Sequence, residues 1–221
     1  MFILSIVKDK IPIHPSQFGL PPEQALINEL NKKYANRVLH DVGLCICVFD
    51  VAEVGEGTVR YGDGFLWYTV VFRLTVFRPF PAEIILAKVK SSDEDGIQLS
   101  VGFFEDMWIP LVHLPQPCAF DPNERAYFWL PSSEATSTHE LLDSPEAERL
   151  YIDQGEIVRV RVERDEFCDD GPGPPKATEG VLISGQVEAR RLPYTVSCSI
   201  AEQGLGPIAW WKASEATMDE G

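Results

Sequence analysis

The stretch FRLTVFRPFPAEIILAKVK, Phe72 to Lys90, constrains this chain more than any other: an alternating run ends, Pro79-Phe80-Pro81 intervenes, and a second alternating run begins. Proline has no amide donor, fixes its own φ and pushes the residue before it toward extended backbone, so neither proline belongs inside a central strand. The break is therefore a bend within one sheet or a joint between two domains. A chain of 221 residues permits either.

Before the break the pattern is mixed. Phe2 to Ile11 reads as a strand and His14 to Gly19 as a turn. A helix is expected from Pro21 to about Arg37. Pro21 and Pro22 suit its first turn, Glu23 its positive end, and Lys32, Lys33 and Arg37 its negative end, while Leu26, Leu30 and Tyr34 share one face. Gly43 to Ala52 is nearly all apolar, as in a buried strand. Gly55, Gly57, Gly62 and Gly64 mark turns around a short segment, Thr58 to Arg60. In the long strand Phe65 to Phe77, Val70, Phe72, Leu74 and Val76 give a wholly apolar face, and Val71, Arg73, Thr75 and Phe77 a mixed one. Residues 1–79 thus predict a compact α+β unit.

After the break, short alternating strands follow tight turns. Strands are expected at 82–90, 97–101, 104–111, 156–165 and 181–200, the last interrupted near Pro193. Five strands with a long insertion after the third predict an all-β barrel of the OB type. Within the insertion, 131–144 is polar and irregular and Pro145 opens a short helix to Leu150. Residues 168–179 read as a Pro/Gly-rich loop and 212–221 as a frayed tail.

Chemistry-bearing motifs are missing. His14, His40, His113 and His139 have no metal-ligand spacing, and neither a GxSxG elbow nor a phosphate-binding glycine loop occurs. Glu105-Asp106 and Asp169-Asp170 read as solvated turns. Cys45, Cys47, Cys118, Cys168 and Cys198 form no CxxC pair and leave an odd count, as expected of reduced thiols in an intracellular protein. No apolar run reaches membrane-spanning length, and MFILSIVKDKIPI lacks the flanks of a signal peptide. No catalytic residue, cofactor or metal is expected. The net charge of −15 opposes long-range approach to nucleic-acid phosphate. What remains is interaction surface: Phe103, Phe104, Trp108, Tyr127, Phe128, Trp129, Trp210 and Trp211, with Lys88, Lys90, Arg159, Arg161 and Arg164. Such aromatics stack on bases in some OB barrels, and pack within the protein or on a partner in others.

The order Pro15-x-x-Phe18, Glu29-Leu30-Asn31-Lys32-Lys33, the run Val42 to Asp50, Tyr61-Gly62-Asp63-Gly64, Val76 to Phe80, Leu99 to Asp106, Phe120-Asp121 and Gly204 to Trp211 resembles the larger stalk subunit of eukaryotic RNA polymerase III. The polymerase II stalk subunit and its archaeal RNA polymerase counterpart are related families. The resemblance implies an RNP-like domain over 1–79 for polymerase docking and partner binding, and an S1 domain of the OB class over 80–211 with inserts at about 131–153 and 168–179. It implies a nuclear, non-catalytic subunit that pairs with a smaller HRDC-containing stalk subunit. Further partners would be the polymerase core and initiation factors, with single-stranded RNA as an additional candidate and no membrane. By the same resemblance, Gly55, Gly57, Gly62 and Gly64 match a docking tip, and Phe77, Pro79, Phe80 and Pro81 a stiff interdomain junction. Lys88, Lys90, Phe103, Phe104, Trp108, Arg159 and Arg161 match candidate nucleic-acid contacts. The alternative is a free-standing single-stranded RNA-binding S1/OB module.

Overall fold

The computed structural model describes residues 1–131, 138–145, 148–168 and 192–211. Its contacts divide the chain into two compact units, Met1–Pro79 and Phe80–Gly221.

In the first unit, β1 (Phe2–Ile13), α1 (Pro22–Tyr34), β2 (Arg37–Leu39), β3 (Gly43–Val54), β4 (Thr58–Val59) and β5 (Leu66–Phe77) form one antiparallel sheet covered by one helix. The strand order is β1-β5-β3-β2, with β4 also on β5. The apolar face expected of the long strand is the core: Val70, Phe72, Leu74 and Val76 are buried under Ala25, Leu26 and Leu30 of the helix. Each such side chain contributes about 1.5–3 kcal/mol by leaving water.

The helix stops a turn earlier than its charge pattern suggests. Asn36 takes a left-handed φ of 57°, and Arg37 already pairs with Cys45 in the sheet. Three register irregularities bend β3 against β5. Asn31 fastens the helix to that bent strand by accepting the Val48 N–H at 2.9 Å. Gly43 is obligatory, because a Cβ there would sit 2.7 Å from the Phe77 carbonyl at φ +129°.

In the second unit, β6 (Ile84–Asp93), β7 (Gly96–Ser100) and β8 (Met107–Pro110) precede an insertion that carries β9 (Cys118–Asp121), β10 (Ala126–Trp129), α2 (Thr138–Leu142) and β11 (Leu150–Ile152). Then follow β12 (Ile157–Phe167), β13 (Tyr194–Ser199) and the two-residue β14 (Gly206–Pro207). Strands β12-β6-β7-β8-β13 lie side by side, and β13 also pairs β12, which closes a five-stranded barrel. Among the described residues the β8–β13 pairing is its one parallel pairing. Ile85, Ala87, Val158, Val160 and Val162 point into its interior, as their alternation predicts. The strand expected over 181–191, the loop expected over 168–179 beyond Cys168, and the tail at 212–221 lie outside the described residues.

The insertion is more ordered than its composition suggests. Strands β9, β10 and β11 build a second sheet, order β11-β10-β9, and Leu141 of α2 is buried against Ala119, Phe128 and Leu130. α2 precedes Pro145, and of the short helix expected to open at that proline, residues 146 and 147 lie outside the described residues. The Glu148 N–H donates to the Pro145 carbonyl at 3.1 Å, one 3-10 turn, before Leu150 enters β11 and pairs with Trp129.

Arg149 holds this subdomain together. Its Nη1 donates to Tyr151 Oη at 3.1 Å and Asp121 Oδ2 at 3.4 Å, and its Nη2 to the Leu142 and Ser144 carbonyls at 2.7 Å each. The guanidinium lies 4.8 Å from the Phe128 ring centroid, and the Arg149 and Asp121 side chains are each 7% exposed. Burial makes the pair strongly dependent on both members. Arg149→Ala is therefore predicted to destabilise the second unit by about 3 kcal/mol in urea denaturation, whereas Tyr151→Phe costs about 1 kcal/mol.

In the first unit, Asp9 accepts from Tyr34 Oη at 2.5 Å, from the Lys10 N–H at 2.8 Å and from Lys33 Nζ. Burial alone would raise its carboxyl, but these donors hold it below the ordinary carboxylate range. A carboxyl lowered by folding adds stability above its unfolded pKa of about 3.9 and loses it as pH falls through the folded value. Asp9→Asn should therefore lower stability at neutral pH and flatten the acid limb below about pH 4, read by thermal melts across pH.

Candidate interaction surfaces

The four glycines singled out in the sequence meet in one projecting hairpin. Thr58 and Val59 of β4 pair with Trp67 and Leu66 of β5, and residues 60–65 turn between them. Asp63 organises the turn: its Oδ1 accepts the Phe65 N–H at 3.0 Å and its Oδ2 accepts Trp67 Nε1 at 3.3 Å. The Arg60 guanidinium lies 5.8 Å from the Trp67 ring centroid. Gly62 and Gly64 have φ of 98° and 69°, so backbone conformation rather than lack of space selects glycine there. At Gly57 the reason is space, because a Cβ would meet the Tyr68 ring at 2.8 Å. The hairpin thus has a defined shape and holds Tyr61 fully in solvent, with Val59 exposed beside it.

A second surface is the sheet face opposite the helix. Phe2, Leu4 and Ile6 alternate along β1 and are all exposed, as is Phe49 on β3. Arg73, which pairs with Ile6, lies 5.2 Å from the Phe49 ring centroid and donates to Asp50 through Nε at 2.7 Å. That hydrogen bond holds the Asp50 carboxyl below its usual range. Four exposed apolar side chains around the Arg73–Asp50 pair make this face a candidate contact surface.

On the barrel the expected nucleic-acid contacts separate. Phe104 does not belong to a surface: it is 4% exposed and packs on Tyr194 with ring centroids 5.5 Å apart. The reason is the turn at 101–104, where the Val101 N–H donates to the Phe104 carbonyl at 3.0 Å. Its neighbour Phe103 is 47% exposed, and Trp108 on β8 is half-buried. Lys90 is paired with Glu105 at 2.5 Å, and Arg161 with Glu163 at 2.6 Å and with Glu202. Lys88 and Arg159 point outward without a carboxylate partner among the described residues. Phe77 is fully buried but on the sheet face opposite the helix, edge-on to Phe2. Past the prolines, the Phe80 N–H donates to Glu83 Oε2 at 3.1 Å and the Ala82 N–H to the Val162 carbonyl at 2.7 Å, which fastens the start of the barrel unit.

Sequence reasoning left open where Tyr127, Phe128 and the tryptophans belong. Tyr127 and Phe128 are buried. Trp129 packs on Trp210 at 5.4 Å, and Trp211 Nε1 donates to the Leu205 carbonyl at 3.0 Å. Gly206 makes room for this, since a Cβ there would meet the Trp210 ring at 2.9 Å. Sequence also gave no sign of the solvent-facing row Phe2, Leu4, Ile6, because alternation was blurred by Ile3 between them.

Among the described residues no cluster of His, Cys, Asp or Glu could hold a metal, and no helix is long and apolar enough to cross a membrane. Burial pushes the Cys45 and Cys118 thiols up to about 11 and Cys198 up to about 12, so these three are protonated and poor nucleophiles at neutral pH.

The chain thus joins an SHS2-type sheet-and-helix unit to a closed OB-like barrel. Residues 8–64 match the SHS2 domain found in the N terminus of Rpb7p/Rpc25p/MJ0397, and residues 83–211 match RNA polymerase III subunit Rpc25. The chain belongs to the family of RNA polymerase III subunit Rpc25. It is 42% identical over 212 residues to DNA-directed RNA polymerase III subunit rpc8 of Schizosaccharomyces pombe, covering 96% of this chain and 100% of that one. It is 39% identical over 214 residues to the RPC8 subunit of Bos taurus, covering 97% and 100%. Similarity to DNA-directed RNA polymerase subunit Rpo7 of Saccharolobus solfataricus is 29% over 116 residues, 52% of this chain and 62% of the relative.

The placement of the two adjacent phenylalanines is directly testable. Phe104→Ala should destabilise the barrel by about 3–5 kcal/mol, and Phe103→Ala by no more than about 1 kcal/mol, in chemical denaturation.

Proposed function

We propose that this chain acts as the larger, non-catalytic stalk subunit of nuclear RNA polymerase III. It docks on the core through the hairpin at residues 55–65 and pairs with the smaller HRDC-containing stalk subunit. In this role it supports promoter-dependent initiation by presenting its barrel to initiation factors. The family membership over nearly the whole chain supports the assembly reading, and the observation that carries the docking site is the preorganised hairpin with Tyr61 at its apex. An exposed tyrosine on a rigid turn brings large contact area at small entropic cost, the profile of an interface anchor. The apolar face of Phe2, Leu4, Ile6 and Phe49 fits burial by a second chain.

A free-standing RNA-binding module is the weaker reading. The net charge of −15, the ion pairs on Lys90 and Arg161 and the burial of Phe104 leave few groups for a strand of RNA.

Affinity purification of the tagged chain followed by mass spectrometry is expected to recover polymerase III core subunits and the smaller stalk subunit. Tyr61→Ala combined with Val59→Ser should reduce core recovery by about tenfold or more while the chain still melts as the wild type does. Absence of core subunits from the wild-type purification would refute the reading.

A further inference from the structure

The outer face of the β6–β12 ladder carries a pattern that docking through the hairpin does not use. Ile84, Leu86 and Lys88 point outward from β6, and Ile157, Arg159 and Arg161 from β12, while Ile85, Ala87, Val158 and Val160 between them are buried. The register sets Ile84 against Arg161, Leu86 against Arg159 and Lys88 against Ile157. Each of the three outward-facing rungs therefore joins one aliphatic side chain to one cation. Ile84, Leu86 and Ile157 are 59%, 57% and 54% exposed, and none serves the barrel core.

The charges on this face are unequal. Arg161 is neutralised by Glu163 and Glu202. Arg159 donates to the Gly204 carbonyl at 3.2 Å, and neither Arg159 nor Lys88 meets a carboxylate among the described residues. In a chain of net charge −15, this face sets two cations without a carboxylate partner among the described residues beside three exposed aliphatics.

From this complementarity we infer that the β6–β12 face docks an acidic amphipathic helix of another protein chain within the polymerase assembly. Aliphatic side chains of that helix cover Leu86 and Ile157, and its carboxylates reach Lys88 and Arg159. The inference rests on the assembly reading above. A nucleic acid fits less well, since its phosphates would take the cations but no base could stack on Ile84, Leu86 or Ile157. An added strand is excluded along this ladder, because β6 is already paired with β7 and β12, and β12 with β6, β13 and β14. A helix of about 10 Å diameter spans two strands about 4.8 Å apart.

The test places a photo-crosslinking amino acid at position 86 of the tagged chain in RNA polymerase III purified from cells, and co-purification of core subunits reports whether the chain is assembled. The expected result is a crosslink from position 86 to an identified protein segment with acidic residues flanking an aliphatic helical stripe. Lys88→Glu with Arg159→Glu should lower its yield by about fivefold or more. A crosslink from 86 to nucleic acid, to a segment without acidic residues, or to nothing, while core subunits co-purify, overturns the inference and leaves the assembly reading intact. The inference falls equally if charge reversal leaves the yield unchanged. Absence of core subunits from the wild-type purification overturns the assembly reading and this inference with it.

Discussion

The twelve-residue pairing of β1 with β5, from Phe2 opposite Phe77 to Ile13 opposite Leu66, is the constraint on which the first unit depends. With side chains alternating between faces, that register commits Val70, Phe72, Leu74 and Val76 to the helix side and turns Phe2, Leu4 and Ile6 to solvent. A slip of one residue would exchange the two sets. The same strand spans about 36 Å at about 3.3 Å per residue. It begins at the hairpin that holds Tyr61 and ends two residues before Pro79. One ladder therefore supplies the core, leaves an apolar face free and separates the exposed hairpin from the end of the unit.

The barrel applies the same alternation on a closed sheet. Inward valines and isoleucines satisfy the core, so outward positions are released from folding and can carry function. The insertion between β8 and β12 does not enter that closed ladder. It forms its own small sheet, and Arg149 ties its helix end, its strands and Asp121 into one hydrogen-bonded unit.

Long periodic elements were legible in the sequence, and short ones were not. The faces of β5, β6 and β12 followed from period-two alternation over ten or more residues, and the helix from Leu26 and Leu30. Strands β9 and β10 have four residues each, too few for a period to emerge, so Tyr127 and Phe128 could not be separated from surface aromatics. Phe103 and Phe104 are adjacent and chemically identical. Which one faces inward is decided by a turn, not by composition. Ion pairing is equally hidden: Lys88 and Lys90 look equivalent along the strand, yet only Lys90 has Glu105 across the loop. The family resemblance supplied what spacing could not, because it drew on the order of many weak motifs along nearly the whole chain.

On the function proposed above, the preorganised hairpin is a docking element rather than an ordinary turn. Within residues 60–65 the Arg60 N–H to Phe65 carbonyl bond, at 3.4 Å, is a weak one, and the apex is open to solvent in the free chain. Amide hydrogen exchange comparing the free chain with the same chain inside purified polymerase III reads this directly. Docking predicts fast exchange at 61–64 in the free chain and strong slowing there on assembly, with the barrel core unchanged. Equally fast exchange at 61–64 in both states would contradict it.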